Sequence, residues 1–217
     1  MNILRPDNLA FPNLQTANRE GLLALGGDLS VPRLLLAYRS GIFPWTDEPL
    51  TWWSPDPRAI FEIDTFRPPK RLESKLRLHS FDLTINHDFR AVIHACAEPG
   101  VGRESTWISP RFIEAYLELH RQGHAHSVEV WQEDRLVGGI YGVAIQGFFA
   151  GESMFHRVTD ASKIALCCLM DHLRARNFEL FDTQVLSPLT ARLGAVEIRR
   201  REYLERLATA LRNPTQF

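Results

Sequence analysis

Apolar positions recur at helical spacing in several stretches of the chain. Ser30 precedes Val31 and Pro32, Leu34, Leu35, Leu36 and Tyr38 follow, and Gly41 closes the run, which predicts a short helix capped at Ser30. Pro68 and Pro69 open a short basic helix within Arg67 to His79, and Asp88 to Cys96 reads as another. Ser109 and Pro110 begin a core helix in which Phe112, Ile113, Tyr116, Leu117 and His120 repeat at i, i+3 or i+4 until Gly123. Asp160 caps a helix from Ala161 to Arg176, and Arg199 to Arg212 is amphipathic.

Elsewhere the period is two. His126 to Trp131 alternates, Glu133 and Asp134 make a turn, and Leu136 to Phe155, rich in Val, Ile, Phe and Tyr with interspersed glycines, predicts an antiparallel meander. Phe178 to Val185 reads as a further strand. The stretch FPWTDEPLTWWSPDPRAIF fits neither period. Its prolines, Pro44, Pro49, Pro55 and Pro57, predict irregular chain whose aromatics are packed or left to a ligand. The texture changes near residue 58, which predicts an α+β protein of two units, a small N-terminal domain over 1–58 and a larger one over 59–217.

Composition narrows the function classes. Of 217 residues, 45% are hydrophobic and 24% charged, the make-up of a globular chain. Lys plus Arg is 25 against 26 Asp plus Glu, a net charge of −1, so any RNA contact must use a local patch. Cys96, Cys167 and Cys168 lack the spacing of a disulfide framework or a cysteine zinc site, which fits a reducing cytoplasm. No apolar run nears the ~18 to 20 residues of a membrane span, and no leader is expected.

His120, His124 and His126 invite a metal reading, but no HExxH pattern or suitably spaced carboxylate accompanies them. Gly138, Gly139, Gly142, Gly147 and Gly151 match no phosphate-binding loop and read as bulges and close packing. Ser153 lacks the second glycine of a nucleophile elbow. What remains is polar chemistry on strands. Glu152 interrupts an apolar run, while Asp182 and Gln184, two apart, share a strand face opposite Phe181, Thr183 and Val185.

The blocks GLLALGGDLS (21–30), AYRSGIFPW (37–45), WWSPDPRA (52–59), TWI (106–108) and GHAHSVEVW (123–131) stand in a fixed order with GGIYGV (138–143), GESMF (151–155), ASK (161–163) and the D-x-Q of 182–184. In that order they resemble the leucyl/phenylalanyl-tRNA-protein transferases, from residue 11 to about 207. The resemblance implies a small N-terminal domain followed by a GNAT-like acyltransferase domain with a mixed, largely antiparallel sheet. It also implies transfer of Leu, Phe or, less readily, Met from aminoacyl-tRNA to proteins beginning with Arg or Lys, without metal or cofactor, as a mark for degradation.

Aminolysis of an activated ester needs a neutral amine in attacking position and a destination for its proton. Asp182 is the candidate that orients or deprotonates the amine, and Gln184 accepts from it or donates to developing carbonyl charge; a relay through Gln184 and pure positioning are both open. The resemblance places Glu152 on the α-ammonium of the donor, the aminoacyl pocket on Ile140, Phe149, Leu166 and Leu173, and the 3′-adenosine on Tyr38, Trp45, Trp107 and Tyr116. Trp52 and Trp53 read as packing. Isoleucine at 140 replaces the methionine of familiar members, which predicts altered ratios among Leu, Phe and Met. Lys70, Arg71, Lys75 and Arg77 match the family's stem-binding helix in character, with Arg199, Arg200 and Arg201 as a second basic stretch.

Three rivals remain. An acetyl-CoA-dependent acyltransferase would need a pyrophosphate loop that the chain lacks. A tRNA-binding module leaves Glu152, Asp182 and Gln184 unexplained. Transfer to acidic N-termini is the third.

Overall fold

The structure, a computed structural model, describes residues 2–77, 81–99 and 106–217, with the side chains of 75–77 excepted. Its strands form two sheets. The smaller contains β1 (Asn2–Leu4), β2 (Leu22–Gly26), β3 (Phe43–Asp47) and β4 (Leu50–Trp53) in the order β1-β2-β4-β3, with α1 (Val31–Arg39) between β2 and β3. The proline-rich stretch is therefore not irregular. Pro44 sits in β3, an edge strand paired with β4 alone, where its missing N–H costs no ladder bond, and Pro49 lies in the turn between them. Pro55 and Pro57 fall between β4 and β5 (Arg58–Phe61), where the chain crosses to the larger sheet. Trp52 is fully buried and its indole N–H donates to the Gly26 carbonyl at 2.8 Å.

The larger sheet adds β6 (Asp82–Ile85), β7 (Ala125–Gln132), β8 (Arg135–Ile145), β9 (Phe148–His156), β10 (Leu180–Gln184) and β11 (Val196–Ile198), in the order β11-β5-β10-β9-β8-β7-β6. β7, β8 and β9 make the antiparallel meander predicted from the alternating His126 to Trp131 and the β-rich run Leu136 to Phe155. β10 runs parallel to β9 and antiparallel to β5, so the sheet is mixed and largely antiparallel, in an α+β fold.

Helices cover both faces. The first core joins α1 and β4 to α3 (Phe89–Ala97), α4 (Pro110–Arg121) and α7 (Arg200–Ala210) through Leu34, Trp52, Phe112, Tyr141 and Tyr203. The second packs α5 (Ala161–Ala175) and Leu72 of α2 (Lys70–Arg77) on the opposite face, through Ile140, Phe149, Leu166 and Phe181. Local chemistry sets the helix starts. Asp88 accepts from the Ala91 N–H at 2.9 Å, and Ser187 and Thr190 form a reciprocal box at α6 (Pro188–Arg192). Asp160 stands at the predicted start of α5 but in a left-handed conformation, φ 73°, and its carboxylate pairs with Lys163 instead of capping. His79, the expected end of the basic helix, lies outside the described residues.

Two glycines permit the close packing behind the site. A Cβ at Gly142 would stand 2.2 Å from the Ala150 carbonyl and 2.5 Å from the Phe149 ring; one at Gly151 would stand 2.8 Å from Phe181.

Candidate active site

Glu152 comes from the middle of β9, and three donors converge on it. The Tyr38 hydroxyl of α1 donates to its Oε1 at 2.8 Å, the Tyr116 hydroxyl of α4 to its Oε2 at 2.9 Å, and the Gln184 amide to Oε1 at 3.1 Å. The two tyrosine hydroxyls are themselves 2.5 Å apart. Burial, with a smaller push from the Asp182 charge, raises the Glu152 carboxyl to about 7 against the tyrosine hydrogen bonds and the Arg58 charge, which favour its ionised form. Burial, and then the Glu152 charge, hold both phenols well above their ordinary range, so they remain donors.

Beside Glu152 lies a cavity of about 210 Å³. Phe61, Ile140, Met154, Leu166, Phe181 and Val185 give it apolar walls, while Glu152, Ser153, Thr183, Ser187 and Thr190 supply polar atoms. Of the expected pocket residues, Ile140 and Leu166 line it. Phe149 and Leu173 do not: at 1% and 0% exposed, they belong to the packing behind the wall. Phe61, Met154 and Phe181 were not foreseen, because they come from β5, β9 and β10 and meet only when the sheet forms.

Asp182 is placed differently from the expectation. It is fully buried, with Oδ1 accepting from Arg58 Nε at 2.9 Å and from the Gln184 backbone N–H at 2.8 Å; Oδ2 accepts from Arg58 Nη2 at 2.6 Å and from the Tyr203 hydroxyl at 2.8 Å. Arg58 also donates to the Gly41 carbonyl at 3.1 Å and lies over the rings of Phe43 and Tyr203. Although burial opposes its charge, Asp182 holds its pKa above the ordinary value. The even alternation that puts Asp182 and Gln184 on one face fails here. The register of β10 slips between them and Gln184 takes a left-handed φ of 66°, so its amide reaches Glu152 while Asp182 faces Arg58.

The four expected adenosine platforms divide in two. Tyr38 and Tyr116 are 1% and 0% exposed, and their hydroxyls are committed to Glu152, so neither offers a ring face to a base. Trp45 is 38% exposed and edge-on to Trp53, and half-buried Trp107 is edge-on to Phe112. A hydrogen bond between Ser109 and Asp47 ties the start of α4 to the end of β3. Lys70 and Arg71 are exposed on α2, whereas the side chains of Lys75 and Arg77 lie outside the described ones. Arg200 is engaged with the Ser54 carbonyl and Asp56, and Arg201 pairs with Glu205.

Arg58 and Tyr203 were missed as site residues. The signal was a lone arginine in the otherwise apolar strand RAIF. Of the three histidines, His120 meets the Ala125 carbonyl and stacks on Phe89, and His126 meets Asn86 and the Gly123 carbonyl. Among the described residues no three His, Cys, Asp or Glu side chains are grouped to hold an ion.

A small, mostly apolar cavity beside a carboxylate fits a ligand that pairs an apolar side chain with a cation. Comparison with known proteins supplies the class of reaction. Residues 60–208 match the family model of the leucyl/phenylalanyl-tRNA protein transferase, and residues 27–56 match that of its N-terminal domain. A leucyl/phenylalanyl-tRNA–protein transferase of Shewanella halifaxensis is 49% identical over 98% of this chain and 92% of its own length; one of Solidesulfovibrio magneticus is 52% identical over 94% and 84%. The chain belongs to the leucyl/phenylalanyl-tRNA protein transferase family, and is an aminoacyltransferase with an aminoacyl-tRNA donor and a protein acceptor. Among solved structures, L-PGS from Bacillus licheniformis aligns with a TM-score of 0.43 at 14% identity, over 77% of this chain and 54% of that one. A GCN5-related N-acetyltransferase-like protein from Streptococcus suis aligns at 0.35 and 15%, over 75% and 61%.

Proposed function

We propose that the protein moves Leu, Phe and, less readily, Met from aminoacyl-tRNA to proteins whose N-terminal residue is Arg or Lys, and thereby marks them for degradation in the cytoplasm. The observation that carries the donor half is the Glu152 carboxylate at the edge of the apolar cavity. The α-ammonium of the aminoacyl group meets Glu152 and its side chain enters between Ile140, Leu166 and Phe181. A β-branched wall at Ile140 tunes the ratio among the three donors. The acceptor class and the fate of the product come with the family resemblance.

The reaction is aminolysis. The acceptor's neutral α-amine attacks the ester carbonyl, a C–N bond forms, the C–O bond to the terminal ribose breaks, and the amine proton leaves with the ribose hydroxyl. Positioning supplies most of the acceleration, since the ester is already activated. Gln184 steadies Glu152 and has a second amide hydrogen for developing carbonyl charge. Asp182 is a positioning residue in this scheme: its grip on the Gln184 backbone N–H fixes the left-handed turn that aims the amide. Trp45 and Trp107 offer the stacking faces for the terminal adenosine, and Lys70 and Arg71, with Lys75 and Arg77, the stem contact. The GNAT-like description of the larger unit and the boundary at residue 58 belong to the same reading, and the boundary is supported by β4 ending at Trp53 and β5 starting at Arg58 in the other sheet.

Transfer of labelled leucine from leucyl-tRNA to matched peptides beginning with Arg, Lys, Asp or Ala tests this. Label on the Arg and Lys peptides is expected. Label on the Asp peptide alone overturns the acceptor assignment, and no label on any peptide overturns the transfer itself.

A further inference from the structure

The end of the described chain is tied across the connection between α5 and β10. Asn213 Nδ2 donates to the Asn177 carbonyl at 2.8 Å and to Glu179 Oε1 at 2.9 Å, and Thr215 Oγ1 donates to the Arg176 carbonyl at 2.5 Å. These bonds deliver the Phe217 ring onto His126, at 4.3 Å and 21°, and beside His172 at 4.5 Å.

Beyond the histidines the ring reaches the wall of the aminoacyl cavity in two further contacts. Phe217 stacks on Phe149 at 5.5 Å and 25°; Phe149 meets Phe181 edge-on at 5.3 Å and 85°; Phe181 packs on Phe61 at 5.4 Å. Phe61 and Phe181 line the cavity, and Phe149 does not. The row leaves little slack, because β8 and β9 already reach these rings through the missing side chains of Gly142 and Gly151. Removing Phe217 gives Phe149, and then Phe181, space to retreat from the cavity.

We propose that Phe217 is a specificity-determining residue that, through Phe149 and Phe181, sets the depth of the cavity beside Glu152 and so the preference between acyl side chains of different size. The inference rests on the donor reading given above. A deeper cavity gains more for the longer phenylalanyl side chain than for the leucyl one, and the gain falls in donor affinity, because no reacting atom is touched.

The test is kcat/KM for leucyl-tRNA and phenylalanyl-tRNA with one Arg-initiated peptide, for the unsubstituted protein, Phe217→Ala and Phe217→Leu, each checked for a cooperative thermal transition. Phe217→Ala is expected to raise the Phe-to-Leu ratio on the order of fivefold, mainly through KM. Phe217→Leu, which keeps most of the packing, is expected to shift it less in the same direction. An unchanged ratio, or equal loss for both donors, overturns the proposal; if the Ala variant does not fold, the ratio of the Leu variant decides by the same criterion. Absence of transfer by the unsubstituted protein overturns the donor reading and this inference with it, a result distinct from an active enzyme with an unmoved ratio.

Discussion

Two carboxylates stand within one connected cluster, and their surroundings are opposite in kind. Asp182 is sealed by a cation: Arg58 grips both its oxygens, with Tyr203 and the Gln184 backbone filling the remaining directions. Glu152 is met by neutral donors alone, two phenols and an amide, and it borders a cavity. A buried charge that already has its partner is fixed in place, and it serves by holding other groups. One that has only neutral partners keeps an elevated pKa and a demand for positive charge, which an α-ammonium can satisfy.

The sharpest way to break the contrast is Arg58→Met. It leaves Asp182 buried without its cation and is expected to cost about 3 to 5 kcal/mol of stability, read as a lowered denaturation midpoint. A loss under ~1 kcal/mol would mean that the Asp182 nest is not sealed. Glu152→Gln should instead leave the fold in place and weaken aminoacyl-tRNA by roughly 10- to 100-fold in KM, because a charge-assisted hydrogen bond is lost.

The same substitution exposes the pH dependence. Glu152 has its pKa raised from 4.5 to about 7 on folding, so its contribution to stability is fully present below about 4.5 and is lost as pH rises through about 7. Donor binding runs the other way and strengthens as the carboxylate ionises through about 7. The Glu152 part of both trends should be missing from Glu152→Gln, read as the difference from the unsubstituted protein in thermal melts and in KM across pH 5 to 8 (roughly the span in which Glu152 ionises), because His126, held down to about 4 by burial, makes stability rise with pH in both proteins.

Trp45→Ala and Tyr116→Phe separate the aromatics. The first should weaken the donor by about 1 to 3 kcal/mol with no change in the pH midpoint, as loss of a stacking face does. The second removes a donor that favours ionised Glu152 and should raise the midpoint by about one pH unit while keeping the packing of the ring. If Tyr116→Phe behaves like Trp45→Ala, the hydroxyl assignment is wrong. The smallest effect is expected for Ile140→Met, a change of less than about tenfold in the Leu-to-Met ratio, measured with the two charged tRNAs.

The elements that were readable in advance are those whose cause is local. Ser109 with Pro110, Asp88, the alternation of His126 to Trp131 and the β-rich composition of Leu136 to Phe155 are local signals, and the helices and the meander stand where they put them. The stretch from Phe43 to Phe61 was misread, because proline is compatible with a strand only at an edge, and being an edge is a property of the sheet. Glu152 was legible as a carboxylate in an apolar run. The sealing of Asp182 was not, since it depends on Arg58, 124 positions away.

Sequence by itself determined the family, the helices α1 to α5 and α7, the strands β7 to β10, and the identity of the polar groups available for chemistry, because caps, periods and motif blocks are written along the chain; β1 to β6 and β11 emerged only with the sheets. Tertiary structure alone decided which carboxylate is sealed and which is open. It also turned Tyr38 and Tyr116 from base platforms into hydroxyl donors and drew Phe61 and Phe181 into the cavity wall. The physical reason is that burial and partner choice are set by strands and helices distant in sequence, and those determine whether a given side chain is a fixed support or a group free to meet a substrate.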